Sequence, residues 1–374
     1  MNIAIVCYPT YGGSGVLATE LGKALADKGH NIHFITYQQP VRLSGFHANI
    51  FYHEVRVPTY PLFDYPPYET ALASTMVDVV NNNEIDLLHV HYAIPHAAAA
   101  YMAKQILAKQ NKKIPVITTL HGTDITLVGR DKTYSPVVTF SMEESDILTA
   151  VSYNLKQETY RNFTISKPIE VIHNFVDVKR FHKKPLEVFK QLIAPNQEKV
   201  IVHASNFRKV KRVDDVVKIF LLINKKINSK LLLIGDGPER PLIESMTRDC
   251  PDGNCIKFLG KQEQMEDILP IADLFLLPSE YESFGLAALE AMAAEVPVIS
   301  TNAGGLPEIN INGYCGYMSD VGDVDDMAKN ALKILGDEKN HHVFKKNALA
   351  QARKFDIHNI VPLYENLYES LVGK

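Results

Sequence analysis

The chain has 374 residues, which is too long for one average domain and comfortable for two. Its 46% hydrophobic and 22% charged residues and its formal net charge of −4 are ordinary for a globular protein and give no sign of a nucleic-acid or anionic-membrane partner. We see no signal-peptide pattern and no apolar run of roughly 18 residues, so we expect a cytoplasmic protein without a membrane span. The four cysteines lack metal-site spacing and are expected to be free thiols.

Short, nearly all-apolar strands alternate with helical patterns along the chain. In the first half, the predicted strands are "IAIVCY", "NIHFIT", "DLLHVHY", "PVITTL" and "DILTAVS", and the predicted helices cover 16–28, 68–82 and 95–110. In the second half, the predicted strands are "IEVIH", "KVIVHASN", "KLLLIG", "IKFLG", "DLFLLPS" and "PVISTN", and the predicted helices cover 213–228, 240–248, 265–272 and 285–294. Such a pattern indicates parallel sheets covered by helices on both faces.

Two series of this kind predict an α/β protein with two doubly wound, Rossmann-like domains. We place the first domain at residues 1–165 and the second at 166–354. The apolar spacing near the C-terminus predicts a last helix at about 355–374, which is expected to pack back on the first domain.

A glycine-rich turn, "YGGSGVLA", follows the first predicted strand, and Gly13 to Ala18 spells G-x-G-x-x-A. A dinucleotide fingerprint also needs an acidic residue about 20 residues later. The second strand ends instead in Gln38 and Gln39, which argues against NAD. A helix N-terminus with free N–H groups and the Ser14 hydroxyl suits a small anion such as a carboxylate. The alternative is a tight turn that only allows the helix to pack.

A stronger signal lies in "PSEYESFGLAALEAMAAEVPVIST", where Glu282 and Glu290 are separated by seven residues. The N–H groups of Phe284, Gly285 and Leu286 are expected to open a helix and to favour a diphosphate. Glu290, about one turn later, suits two ribose hydroxyls, and Glu282 is expected to face whatever the phosphates carry. The alternative is that both carboxylates are surface residues of a helix.

The loop "SNFRKVKRVDDVV" follows another predicted strand. Lys211 and Arg208 are expected to neutralise a diphosphate leaving group, unless this is only a solvated basic loop. The turns in "LLLIGDGPE" and "FLGKQEQM" are expected at the carboxyl edge of the same sheet, where α/β proteins bind ligands.

Taken together, "ESFGLAALE", "GDGPE", "VIHNFVD" and the first glycine-rich loop resemble the retaining GT-B glycosyltransferases of the glycogen-synthase-like family four, over essentially the whole chain. The stretches "CYPTYGGSGVLATELGKALADKGHNIHFIT", "FDYPPYETALAS", "LHVHYAIPHA" and "TTLHGTDIT" resemble the branch that transfers N-acetylglucosamine from UDP-GlcNAc to L-malate in the first step of bacillithiol formation. The resemblance implies two domains facing across a cleft, retention of the anomeric configuration by front-face attack, and independence of metal.

The resemblance also implies roles for individual residues. It assigns Glu282, Lys211, Arg208 and His121 to catalysis. It assigns Gly13, Ser14, Gly15, Tyr92 and Thr119 to malate. Donor binding is implied for Gly15, Asn206, Arg208, Lys211, Gly237, Lys261, Gln262, Glu282, Ser283, Phe284, Gly285, Leu286 and Glu290. UDP-GlcNAc and L-malate are the expected partners, no cofactor is expected, and a homo-oligomer is possible.

The chain departs from the family pattern at two places. Ser205-Asn206 stands where the family usually has Gly-Arg, so Arg208 or Asn206 is expected to contact phosphate. Thr139 stands where close relatives tend to have a basic residue. If that residue binds the acceptor's second carboxylate, either Arg130 or Lys132 takes the role here or the specificity for malate weakens.

Two other functions stay open. One is a family-four transferase with a different acceptor, such as an inositol phosphate or a lipid, and the other is a non-catalytic or NAD-binding protein. In "LLHVHY", His89 and His91 are expected on opposite sides of a sheet, as structural histidines that cannot chelate a metal together.

Overall fold

The computed structural model describes residues 1–10, 12–57, 61, 64–181, 186–247 and 255–373. The chain forms two compact units, Met1–Asn174 with His358–Lys374, and Phe175–Ile357. Cys7, Cys255 and Cys315 are free thiols, whereas Cys250 lies outside the described residues.

The N-terminal unit is built on a parallel sheet of seven strands. The strands are β1 (Asn2–Val6), β2 (Asn31–Thr36), β3 (Ile50–Glu54), β4 (Leu87–His91), β5 (Val116–Leu120), β6 (Ile147–Ala150) and β7 (Ile169–Val171). Their order in the sheet is β3-β2-β1-β4-β5-β6-β7. The first half of the chain therefore runs outward from β1 to one edge of the sheet and then from β4 to the other.

Within the described residues, five helices cover this sheet between its strands. They are α1 (Gly13–Asp27), α2 (Tyr68–Asn82), α3 (Ala98–Lys109), α4 (Ser135–Glu144) and α5 (Tyr153–Asn162), with a π-helical turn at Thr123–Leu127. The segment Ala93–Ala97 before α3 is irregular, because Ile94 has an extended backbone. The face of α2 that carries Leu72, Met76, Val79 and Val80 is buried in the core, as the helical spacing of these residues requires.

The C-terminal unit is built on a second parallel sheet, of six strands. Its strands are β8 (Lys199–Ser205), β9 (Ser229–Gly235), β10 (Ile256–Gly260), β11 (Leu274–Leu277), β12 (Val298–Thr301) and β13 (Gly316–Ser319), in the order β10-β9-β8-β11-β12-β13. Its helices are α6 (Val178–Phe181), α7 (Glu187–Ile193), α8 (Val213–Asn224), α9 (Arg240–Thr247), α10 (Met265–Ile268), α11 (Leu286–Ala293), α12 (Leu306–Ile309), α13 (Val324–Leu335) and α14 (Glu338–Ala352).

The last helix, α15 (Ile357–Val372), belongs almost entirely to the N-terminal unit. The Tyr368 side chain is fully buried there, and its hydroxyl lies 2.8 Å from Nδ1 of His89 on β4. Glu365 pairs with Lys28 and, at 3.1 Å, with His30. The C-terminus of the chain therefore completes the core of the first unit.

The predicted fold class is confirmed, since each unit is a doubly wound parallel sheet with helices between its strands. The boundary between the units differs from the predicted one at 165/166. The strand β7, which we assigned to the second domain, pairs with β6 of the first sheet, so the first unit extends to Asn174. Two strands that we did not predict, β3 and β13, lie at sheet edges.

Candidate active site

Each sheet has a topological switch point, the place where the chain turns from one half of the sheet to the other. In the first sheet it lies between β1 and β4, and in the second between β8 and β11. Open α/β sheets bind ligands outside the carboxyl ends of the strands at this position. Most of the predicted site residues follow these four strands in the sequence, so the fold gathers them into two half-sites, one in each unit.

The half-site of the N-terminal unit begins with the glycine-rich turn after β1. Gly13 is the first residue of α1, whose first turn has no acidic residue and no side-chain cap among the described residues. An added Cβ at Gly15 would lie 2.4 Å from the carbonyl oxygen of Tyr8 and 2.5 Å from that of Thr10. Only glycine permits this close approach of helix and loop, so Gly15 is the tight position of the turn.

Ser14 and Tyr92, which are both predicted to bind the acceptor, meet at this switch point. The Ser14 hydroxyl lies 2.7 Å from the Tyr92 hydroxyl, although 78 residues separate them in sequence. Burial raises the pKa of the Tyr92 phenol above its usual range, so this pair is uncharged at neutral pH. The half-site therefore offers hydroxyl groups beside the N-terminus of α1.

Thr119 is placed differently from the expectation that it contacts malate. Its side chain is buried on β5, and its hydroxyl lies 2.7 Å from both Nε2 of His89 and the Thr149 hydroxyl. The Thr119 hydroxyl is therefore hydrogen-bonded to side chains within the core. His89 and His91 also differ from the expectation, because residues two apart on a strand share a face and their ring centroids lie 4.5 Å apart.

His121 follows β5 and lies beside Tyr92, with ring centroids 5.1 Å apart. Burial lowers the pKa of His121 to about 3, so its imidazole is neutral. Asp124, in the same "LHGTD" motif, had been given no role from the sequence. Its buried carboxylate accepts hydrogen bonds from the backbone N–H groups of Gly122 and Ala93, each at 3.0 Å, and so holds the two loops together.

The half-site of the C-terminal unit is centred on an ion pair between Lys211 and Glu282. Lys211 Nζ lies 2.6 Å from Oε1 of Glu282, and both side chains are largely buried. The buried Ser279, which follows β11, donates a hydrogen bond to the same oxygen at 2.8 Å. The structure therefore brings together Lys211 and Glu282, two of the three residues predicted for catalysis in this unit. It adds Ser279, whose only sequence signal is its place three residues before Glu282.

The predicted anion-binding helix is α11, which begins at Leu286. No side chain caps this N-terminus within the described part of the chain, and its first turn has no acidic residue. Gly285 has a φ of +97°, and a Cβ there would lie 2.6 Å from Leu306, so glycine is required. Ser283 precedes this turn, Phe284 packs against Phe355, and Glu290 is buried one turn into the helix.

The remaining predicted donor residues lie in loops after β8, β9 and β10, at the carboxyl edge of the same sheet. The backbone N–H of Glu239 donates to the carbonyl of Phe207 at 2.9 Å, which holds the turn of Gly237 against the β8 loop. Of the predicted donor residues in these loops, Asn206, Arg208, Lys261 and Gln262 are exposed.

The two residues proposed to replace a basic side chain at Thr139 are placed as follows. Arg130 pairs with Glu158 at 2.8 Å, and Lys132 is exposed. The Thr139 hydroxyl donates to the Ser135 carbonyl within α4. The described residues contain no cluster of three or more histidine, cysteine or acidic side chains suited to a metal, and none of their helices is long and apolar enough to cross a membrane.

Comparison with known proteins covers both units. Residues 11–180 match the model of Glycosyltransferase Family 4, and residues 186–351 match that of Glycosyl transferases group 1. The chain is 45% identical over 370 residues to N-acetyl-alpha-D-glucosaminyl L-malate synthase of Bacillus anthracis, covering 98% of this chain and 96% of that protein.

More distant likenesses agree with this match. A 2-deoxystreptamine N-acetyl-D-glucosaminyltransferase of Niallia circulans is 33% identical over 159 residues, 40% of this chain and 41% of that protein. Among solved structures, Anabaena Alr3699/HepE in complex with UDP and glucose matches with a TM-score of 0.83 at 19% identity, over 99% of this chain and 100% of that chain. Sucrose-phosphate synthase from Thermosynechococcus elongatus matches with a TM-score of 0.82 at 21% identity, over 100% and 99% of the two chains.

Proposed function

The chain belongs to the glycosyltransferases of family 4 and group 1, and on this premise we propose that it moves N-acetylglucosamine from UDP-GlcNAc to the hydroxyl of L-malate, with retention of the anomeric configuration. The observation that carries the choice of substrates is the likeness to the Bacillus anthracis synthase, which runs through both units. The products are GlcNAc-malate and UDP, and the reaction is the first step of bacillithiol formation.

The C-terminal half-site supports the donor assignment. Departure of UDP builds negative charge on the β-phosphate, and a preorganised cation at that oxygen lowers the barrier. Lys211 is held by Glu282 at 2.6 Å and is the cation proposed for this task, with Arg208 as a second one. The N-terminus of α11 supplies backbone donors for the diphosphate, and Glu290 accepts from the ribose hydroxyls.

Glu282 is proposed to contact the sugar. Its Oε1 accepts from both Lys211 and Ser279, which leaves Oε2 for a hydroxyl of N-acetylglucosamine. A carboxylate held in this way suits ligand binding better than the double displacement of retaining glycosidases. We therefore propose front-face attack, in which the leaving phosphate takes the proton of malate's hydroxyl.

The N-terminal half-site supports a small anionic acceptor. The uncapped N-terminus of α1 and the hydroxyl of Ser14 offer donors to a carboxylate of malate, and Tyr92 stands beside them. We propose that this group, with Gly13 and Gly15, binds malate. We propose that no metal is needed, because Lys211, Arg208 and the N-terminus of α11 can neutralise the diphosphate. Loss of activity in EDTA and its recovery with Mg²⁺ would contradict this proposal.

Product analysis by mass spectrometry tests the function. UDP-GlcNAc is offered with L-malate, other 2-hydroxy acids, polyols and an inositol phosphate, and UDP-glucose is offered as a competing donor. We expect GlcNAc-malate as the main product and an α-anomeric proton coupling in its NMR spectrum. Malamide, which keeps the hydroxyl but has no carboxylate, is the matched control and should react very poorly. Preferential glycosylation of another acceptor would overturn the malate assignment.

A further inference from the structure

A buried histidine, His91, contacts His121, which the family resemblance assigns to catalysis and places beside the transferred sugar. His91 is the last residue of β4 and is 2% exposed. Its Nδ1 lies 2.8 Å from Nε2 of His121, at the carboxyl end of the neighbouring strand. Two neutral imidazole nitrogens at this distance share one proton, which belongs to one ring and is accepted by the other.

The surroundings of His91 decide which ring carries that proton. Its second nitrogen, Nε2, is buried and has no hydrogen-bond partner among the described residues. A proton on Nε2 would therefore be a buried N–H without an acceptor, which is rarer and costlier than an unused lone pair. The proton of neutral His91 accordingly belongs on Nδ1, where it is donated to Nε2 of His121.

We propose that His91 is a positioning residue that fixes the tautomer of His121. Because Nε2 of His121 accepts from His91, the single proton of the His121 ring must lie on Nδ1. His121 then presents an N–H donor, and not a lone pair, to its ligand. Both rings are neutral, since burial lowers the pKa of each well below its usual value.

This assignment rests on the proposed function for the identity of the ligand, a hydroxyl or carbonyl oxygen of the transferred sugar. A neutral N–H donor binds such an oxygen without adding positive charge beside a sugar ring that itself becomes positive in the transition state. The same ring as an acceptor could bind a hydroxyl or the acetamide N–H but not a carbonyl oxygen. His91 thus selects the hydrogen-bonding character of His121 without contacting the substrate.

Two-bond proton–nitrogen NMR correlation on the full chain, with nitrogen-15-labelled histidine, tests the tautomer without any substrate. The signals of His121 are assigned by their loss in His121→Asn. We expect a protonated Nδ1 and a bare Nε2 for His121 in the wild-type protein. A proton on Nε2 of His121 would overturn the proposal, whatever the enzyme's acceptor proves to be.

Kinetics separate positioning from mere structural support. Asn places an amide donor near the position of His Nδ1, so His91→Asn should retain the wild-type kcat/KM for UDP-GlcNAc within about twofold. His91→Leu should lower it about tenfold while leaving the Kd for UDP unchanged, because UDP lacks the transferred N-acetylglucosamine. In a His121→Ala background, His91→Leu should have no further effect. Equal losses in both backgrounds, or equal losses in the Asn and Leu variants, would overturn the role.

Discussion

The two switch points of this protein share a topology but differ in chemistry. In the N-terminal unit the loops after β1 and β4 meet through the uncharged pair Ser14–Tyr92, at 2.7 Å. In the C-terminal unit the loops after β8 and β11 meet through the ion pair Lys211–Glu282, at 2.6 Å. The same place in two similar sheets therefore carries hydroxyls in one unit and charges in the other.

This difference matches the ligands proposed for the two half-sites. A carboxylate that keeps its charge throughout the reaction needs donors, whereas a diphosphate that gains charge as it leaves needs a cation. The two pairs should also respond differently to truncation. Removing one partner of a buried ion pair leaves an uncompensated charge, whereas removing one hydroxyl leaves a neutral group unpaired.

The largest effect is expected from Lys211→Ala, which removes the cation of the charged switch point. Its kcat should fall roughly 10²-fold or more if Lys211 acts mainly in the transition state. Steady-state kinetics with UDP-GlcNAc give the result, and Arg208→Ala, measured in parallel, shows whether the exposed arginine shares the task. Normal turnover with only a raised donor KM would contradict the role of Lys211.

A somewhat smaller effect is expected from Glu290→Ala in the same unit. The ribose hydroxyls would lose a charged acceptor, so the binding free energy of UDP should weaken by about 1.5–3 kcal/mol. Isothermal titration calorimetry with UDP measures this change directly. Unchanged affinity would remove Glu290 from the donor half-site.

Ser14→Ala tests the uncharged switch point. Loss of one hydrogen bond to a carboxylate should weaken malate binding by about 1–3 kcal/mol, which appears as a raised malate KM. The Kd for UDP should not change, because the nucleotide is assigned to the other unit. Tyr92→Phe is the partner variant. If Ser14→Ala weakened UDP instead, the division of substrates between the two units would be wrong.

The smallest effect is expected from Ser279→Ala, which removes a neutral donor from Glu282. We expect kcat/KM for UDP-GlcNAc to fall by the equivalent of about 1 kcal/mol in transition-state stabilisation, and the Kd for UDP to stay unchanged. Ser300→Ala is the control, because this serine is equally buried but its hydroxyl donates to the Thr301 carbonyl and accepts from the Asn310 amide. Equal losses in both variants would assign the effect of Ser279 to packing.

Much of the fold could be predicted because its strands are short and apolar and its helices have regular spacing. The edge strand β3, "IFYHE", was not predicted, because it is mostly exposed and carries no continuous apolar run. The prediction placed β7 in the wrong sheet, because an apolar run does not show which strand it pairs with. The local sequence pattern does not determine which strands pair when they are distant in sequence.

The relative positions of the candidate site residues could be predicted where they lie close together in one sequence motif. Glu282 and Gly285 lie in the turn between β11 and α11, and Glu290 lies in α11, so the local chain fixes their relative positions. The place of Thr119 inside the core depends on His89 and Thr149, which lie on neighbouring strands. Such contacts between elements are not encoded in the spacing of any one segment.

The return of α15 to the first unit has a consequence for synthesis on the ribosome. The N-terminal unit lacks Tyr368 until the whole of the second unit, Phe175–Ile357, has been translated. Until then, Nδ1 of His89 lacks the hydroxyl that satisfies it in the finished core. The first domain to emerge is therefore the last to be completed, and a chain truncated before α15 leaves the N-terminal unit with an open core beneath β4.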